Sequence, residues 1–128
     1  PYPTQEMINK VGADYFSYTP FANDYITEFS KAAIQGEQMG KDEITDFLAI
    51  SYSTPDIMGH AVGPRAIELQ DMYLRLDRNM ADLFSTLDKE VGKGNYVVFI
   101  TADHGVAEVP QYLKDKKIPA GYFNEEYA

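Results

Sequence analysis

Both histidines of the chain stand close to an aspartate in sequence, and the two aspartate/histidine pairs are where chemistry is most readily built. Asp103 and His104 are adjacent within Thr101-Ala102-Asp103-His104-Gly105, and Asp56 and His60 lie in the stretch Ser53-Thr54-Pro55-Asp56-Ile57-Met58-Gly59-His60. A carboxylate oxygen and an imidazole nitrogen are ligands that zinc accepts readily. A spacing of four puts Asp56 and His60 on one face of a helical turn, within reach of a single ion. Gly105 lets the backbone turn sharply beside the second pair. Each pair taken alone also has a plain structural reading, in which the aspartate caps a turn and the histidine is solvated. Metal chemistry is favoured because neither histidine falls outside such a pair. Four ligands of type Asp₂His₂ can surround one zinc or form two halves of a two-metal site. Catalytic zinc typically takes three protein ligands and keeps one position open, so a complete dinuclear centre needs more ligands than these four residues supply.

The remaining reactive side chains offer less. Without cysteine there is no thiolate metal site, no disulfide and no cysteine nucleophile. Ser51, Ser53, Thr54 and Thr101 carry hydroxyls near the two pairs, but with His60 and His104 on a metal none keeps an imidazole as general base. A metal would have to activate such a hydroxyl directly, and capping of turns and helix ends is the expected role of all four. The ten tyrosines are scattered in a way that suits packing rather than a binding platform. Lys114, Lys116 and Lys117 read as a solvated face.

The elements that would carry the pairs follow from hydropathy. Asp46 to Ser51 and Tyr96 to Thr101 are short continuous apolar runs, the pattern of strands buried on both faces. Between them a turn-rich stretch from Tyr52 to Gly63 precedes a long helix opened by Pro64, whose residues Leu69, Met72, Leu76, Met80, Leu83, Leu87 and Val91 recur in steps of three and four up to Gly92. Strand, helix and strand predict a parallel βαβ unit, with both strands ending on the edge where open α/β sheets place their ligands. Each aspartate/histidine pair follows the end of one of those strands. Upstream, Pro1 to Tyr18 reads as irregular with at most a short helix around Gln5 to Val11, and Thr19-Pro20 opens a helix through Phe29, Ala32, Ala33 and Gly36, with Gly40 as its stop. Ala107 to Ala128 reads as a loop with at most a short helix.

At 128 residues the chain has room for one core, and 11 basic against 20 acidic residues give a net charge of −9. That balance argues against a nucleic-acid polymer or an anionic membrane surface, and it repels phosphate unless cations are added. No run approaches the length of a membrane span. The chain starts at Pro1 without methionine, which suggests a processed product or a cut-out piece.

Thr101-Ala102-Asp103-His104-Gly105 resembles the metal-binding signature of the alkaline phosphatase superfamily. Ser53 to His60, with Asp56, Gly59 and His60, resembles that of its nucleotide pyrophosphatase/phosphodiesterase branch, nearest to bacterial alkaline phosphatases that use a threonine nucleophile. The likeness runs from about Thr19-Pro20 to about Tyr122. It implies an α/β fold in which residues 1–128 are one fragment of a larger metallohydrolase domain, a partial alkaline-phosphatase-like core with a parallel βαβ unit and flanking helices. It also implies two zinc ions in the full-length enzyme, with Asp56 and His60 as ligands of one and Asp103 and His104 as ligands of the other, and phosphate-ester small molecules as substrates. The family's first metal-ligand aspartate and its threonine nucleophile lie upstream of the matching region, and a further histidine ligand lies downstream. Nothing in this chain matches them, so the expectation is partial or no metal occupancy and no activity in isolation, with the remainder of the parent chain as partner. The family is commonly exported, which implies a periplasmic or extracytoplasmic site. The alternative from another class is a non-catalytic domain with one structural metal or an interaction role. Sulfatases and cofactor-independent mutases share related metal arrangements, and the Asp56 to His60 spacing leans away from them.

Overall fold

The computed structural model describes residues 4–122. The chain runs through α1 (Thr4–Val11), a 3₁₀ turn (Ala13–Tyr18), α2 (Pro20–Gly36), α3 (Thr54–Val62), α4 (Ile67–Leu87) with a π-helical turn at its end (Asp88–Gly92), and α5 (Pro110–Asp115). Proline stands in the first turn of α2, α3 and α5, where its missing N–H removes no intrahelical bond. Thr19 before α2 is extended and fully buried, and its hydroxyl donates back to the Phe16 carbonyl at 2.8 Å, tying the helix start to the preceding turn. After Gly36 the backbone reverses through Gln38 (φ 53) and Gly40 (φ 73), and the Gly40 N–H donates to the Asp46 carboxylate at 2.6 Å.

α2 packs against α4, and α3 packs against both, chiefly α4. The face of α2 turned inward is small and polar: Ala22, Asn23, Thr27 and Ser30 are buried together with Ile34. The hydroxyls of Thr27 and Ser30 donate to carbonyls one turn back, Asn23 and Ile26, each at 2.8 Å, so they enter the interior without losing their bonds. Asn23 donates to the Met72 sulfur at 3.2 Å, linking α2 to α4. The apolar centre is Met58 of α3 against Leu69 and Met72 of α4, with Met72 fully buried. Burying side chains of this size contributes about 1.5–3 kcal/mol each, which makes this cluster the main fastening of α3.

Three expectations change. The stretch from Tyr52 to Gly63 contains a helix, α3, which ends at Gly63 with φ 80, a conformation that glycine adopts without strain. The two apolar runs form no strand: among the described residues there is no β-ladder, and Asp46 to Ser51 and Tyr96 to Thr101 are neither helical nor paired. They are not buried either, with Phe47 and Phe99 at 88% and 87% exposure. A strand needs hydrogen-bonding neighbours on its edges and cover on its faces, and the helices described here supply neither to these runs. The long helix starts at Ile67, later than Pro64, and reaches Gly92 through the π-helical turn. The segment from Ala107 contains the short helix α5, and the end of that segment, from 123 onward, lies outside the described residues. No described helix is long and apolar enough to cross a membrane.

Candidate metal centre

α3 presents the first pair. Thr54, Pro55, Met58 and Gly59 are buried, whereas Asp56 and His60, one turn apart, are exposed, and the His60 Nε2 lies 3.3 Å from the Asp56 Oδ1. Met58, midway between them in sequence, is thus the anchor that turns both ligand-type side chains outward.

The second pair arrives on the segment that precedes α5, held against α3 by close packing. Gly59 leaves a notch that Val106 fills: a Cβ at residue 59 would stand 2.8 Å from the Val106 Cγ2. Gly63 leaves another for Val109, whose Cγ2 would be 2.5 Å from an added Cβ. Arg65 then forks onto Glu108, Nε to Oε2 at 3.1 Å and Nη2 to Oε1 at 2.8 Å, with its guanidinium 4.3 Å from the Tyr112 ring centroid. Tyr52, just before α3, shares a hydroxyl hydrogen bond of 3.0 Å with Thr27 of α2, so the start of α3 is tied to the helical core.

These contacts put His104 beside Asp56. The His104 Nε2 is 3.7 Å from the Asp56 Oδ1 and 3.6 Å from the Asp103 Oδ2, and the two imidazole rings meet edge to face with centroids 5.7 Å apart. One ligand atom each from Asp56, His60 and His104 falls within a 4.8 Å span. Asp103 stays outside that trio, touching it through His104, with its side chain 85% exposed. Sequence spacing pairs Asp103 with His104; the fold in addition gives His104 and His60 a common carboxylate, Asp56.

The His104 Nδ1 lies 2.9 Å from the Gly105 carbonyl oxygen, which can only accept, so Nδ1 carries the hydrogen. In the neutral ring Nε2 then holds a lone pair, and it faces two carboxylates. The Gly105 carbonyl, followed by the charges of Asp103 and Asp56, raises the His104 pKa above the ordinary histidine value. Two carboxylates and an imidazole lone pair converging on one place call for a cation, either a proton on His104 or a metal ion. The nitrogen and oxygen donors suit a divalent metal ion: bonds of about 2.0–2.2 Å to a tetrahedral ion put ligand atoms about 3.3–3.6 Å apart, and Asp56 lies 3.3 Å from His60 and, slightly wider, 3.7 Å from His104.

The hydroxyl candidates are not engaged with this centre. Ser51 and Ser53 bond each other at 3.0 Å, Thr54 is buried in the first turn of α3, and Thr101 contacts the Ala102 carbonyl at 3.4 Å. Among the described residues none of the four is hydrogen-bonded to either imidazole. Lys114, Lys116 and Lys117 are exposed, and Lys116 stands 5.7 Å from the Tyr112 ring centroid. The residues that sequence reasoning missed are Arg65, Glu108 and the two glycine notches; the close run Gly59, Gly63, Pro64 was a visible signal of tight backbone packing.

A model of the type I phosphodiesterase/nucleotide pyrophosphatase family matches residues 2–126. The chain belongs to this family, within the alkaline phosphatase superfamily. It is 51% identical over 108 residues to the alkaline phosphatase PafA of Elizabethkingia meningoseptica, covering 84% of this chain and 20% of that protein. It is 52% identical over 102 residues to the alkaline phosphatase PhoV of Synechococcus elongatus, covering 80% of this chain and 18% of that protein. A crystal structure of a mutant alkaline phosphatase PafA superposes with a TM-score of 0.87 at 44% identity, over 98% of this chain and 25% of that one. The fold is therefore alkaline-phosphatase-like, and the chain spans about a fifth of the length of the curated relatives it matches.

Proposed function

We propose that this chain is part of a zinc-dependent phosphate-ester hydrolase and supplies Asp56, His60, Asp103 and His104 to a two-metal centre. The observation that carries the reading is the convergence of Asp56, His60 and His104, brought together from two distant segments. Membership of the family and likeness to two alkaline phosphatases support the choice of reaction. Two zinc ions, when bound, supply Lewis-acid stabilisation of the phosphoryl oxygens and a positive field for an anionic substrate. The chain's own residues hold and orient. Asp56 and His60 offer ligands from one helical face. His104 is fixed by the Gly105 carbonyl so that Nε2 is its ligand atom, and Asp103 beside it offers a carboxylate. The nucleophile and the missing ligands come from sequence outside this chain, which alone is inactive. Asp46 to Ser51 and Tyr96 to Thr101 become the two strands of the βαβ unit when the rest of the sheet flanks them, which would account for their apolar exposure here. Substrates are phosphate-ester small molecules rather than nucleic-acid polymers, since the net charge of −9 opposes a polyanion wherever metal does not intervene. The site of action is periplasmic or extracytoplasmic.

Hydrolysis of a phosphomonoester and a phosphodiester by the intact protein with zinc is the test. His104→Ala and Asp56→Ala are each expected to remove most turnover, and near-parent rates in either would sink the assignment. A second reading draws on Asp103 lying outside the trio: a single structural ion held by Asp56, His60 and His104. Binding of one zinc per chain, with loss of the fold on chelation and no hydrolysis by the intact protein, would favour it.

A further inference from the structure

The two aspartate/histidine pairs sit on segments far apart in sequence, and their spacing is set by contacts outside the ligands themselves. Arg65 follows the glycine that ends α3, and Glu108 follows His104 on the opposing segment. The guanidinium grips both carboxylate oxygens and lies on Tyr112 of α5, so its orientation is fixed as well as its reach. Glu108 stands between Val106 and Val109, the two residues seated in the notches of Gly59 and Gly63. A slip of one residue along α3 would move the segment by up to about 3.3–3.6 Å, enough to break the contact between His104 and Asp56, and it would also unseat both valines and open the fork.

We infer that the Arg65–Glu108 ion pair, backed by Tyr112, is a positioning strut that sets the separation between the Asp56/His60 and Asp103/His104 pairs and hence the affinity of the metal centre. The inference rests on the metal-centre reading given above. Arg65 is 60% exposed, and exposed ion pairs contribute little to global stability, so the effect of the pair falls on geometry. Partners that orient metal ligands without touching the ion typically alter affinity about 10- to 100-fold when removed, and this strut acts one step further out, which puts its effect near the lower end, about tenfold.

The experiment uses the intact protein carrying this chain, stripped of metal, with zinc titrated against a chromophoric chelator and cobalt(II) as a visible-absorption probe. Glu108→Gln and Arg65→Lys are expected to melt close to the parent when metal-free, to bind zinc about tenfold more weakly, and to shift the cobalt spectrum. Arg65→Lys keeps the charge and loses the fork, so its loss of affinity points to geometry. The exchanged pair, Arg65→Glu with Glu108→Arg, is expected to recover part of the affinity. Parent-like zinc affinity and cobalt spectrum in both single variants would overturn the strut, as would an equal loss of affinity in a Leu83→Ala variant, destabilised near the far end of α4 and outside the Met58 cluster. A parent protein that binds no zinc would overturn the underlying metal-centre reading, and the strut with it.

Discussion

Val106 occupies the space that a side chain on residue 59 would need, the two positions being so close that a Cβ on Gly59 would stand 2.8 Å from a Val106 methyl. Residue 59 belongs to the helix that carries Asp56 and His60, and residue 106 lies just beyond His104. The absent side chain is therefore what lets the two halves of the site approach.

Gly59→Ala separates local from tertiary effects. Alanine strengthens an isolated helix by about 1 kcal/mol relative to glycine, yet here its methyl must displace Val106. Zinc affinity is expected to fall although α3 itself is favoured, and Gly59→Ala with Val106→Ala should restore it. Undiminished zinc binding by the single variant, measured by chelator competition, would refute the role of the notch.

Metal removal is expected to act on substrate binding as well as on turnover. With Asp56 and Asp103 both near His104 in a chain of net charge −9, the metal-free intact protein should lose its affinity for inorganic phosphate, and added zinc should bring it back. Calorimetric titration of phosphate with and without chelator decides this. Equal affinity in the two states would show that cations other than metal recruit the anion.

Tyr52 ties the start of α3 to α2 through Thr27. Burial raises its pKa above the ordinary tyrosine value, and the Thr27 hydrogen bond opposes that shift. A raised folded-state value means that the unfolded chain ionises first, so the contribution of Tyr52 to stability is complete below about pH 10 and is lost as pH rises beyond it. Tyr52→Phe is expected to cost about 1 kcal/mol at neutral pH by losing the bond to Thr27, and to blunt the decline in stability that denaturant melts show as pH rises above about 10. An alkaline decline identical to the parent's would remove Tyr52 from that account.

Met72 is fully buried at the junction of α2, α3 and α4. Met72→Ala leaves a cavity there and is expected to destabilise the chain by about 2–5 kcal/mol in chemical denaturation. A loss under about 1 kcal/mol would mean that α3 is fastened elsewhere, with Arg65 and the valines as the next candidates.

Much of the helical framework was legible in the residues. Thr19-Pro20 marks the start of α2, and the steps from Leu69 to Val91 mark α4 and its terminal turn, because capping and helical periodicity are local properties of the chain. α3 was harder: it is short, interrupted by Gly59 and opened by a proline, so its composition reads as a turn until Met58 is seen packed on Leu69 and Met72. The apolar runs at Phe47 and Phe99 show the opposite case. Their composition asks for a strand, but a strand is a relation between chain segments, and among the described residues no partner segment meets that demand.

The sequence by itself determined which residues can ligate a metal, namely two histidines each close to an aspartate, and which helices form near them. Tertiary structure alone decided that His104 faces Asp56 as well as Asp103, that His60 joins them, and that Arg65 and Glu108 close the gap between the segments. The reason is physical: ligand type and helical spacing are written in neighbouring residues, whereas a distance between segments depends on what packs between them, and at Gly59 and Gly63 it is the absence of a side chain that lets Val106 and Val109 set it.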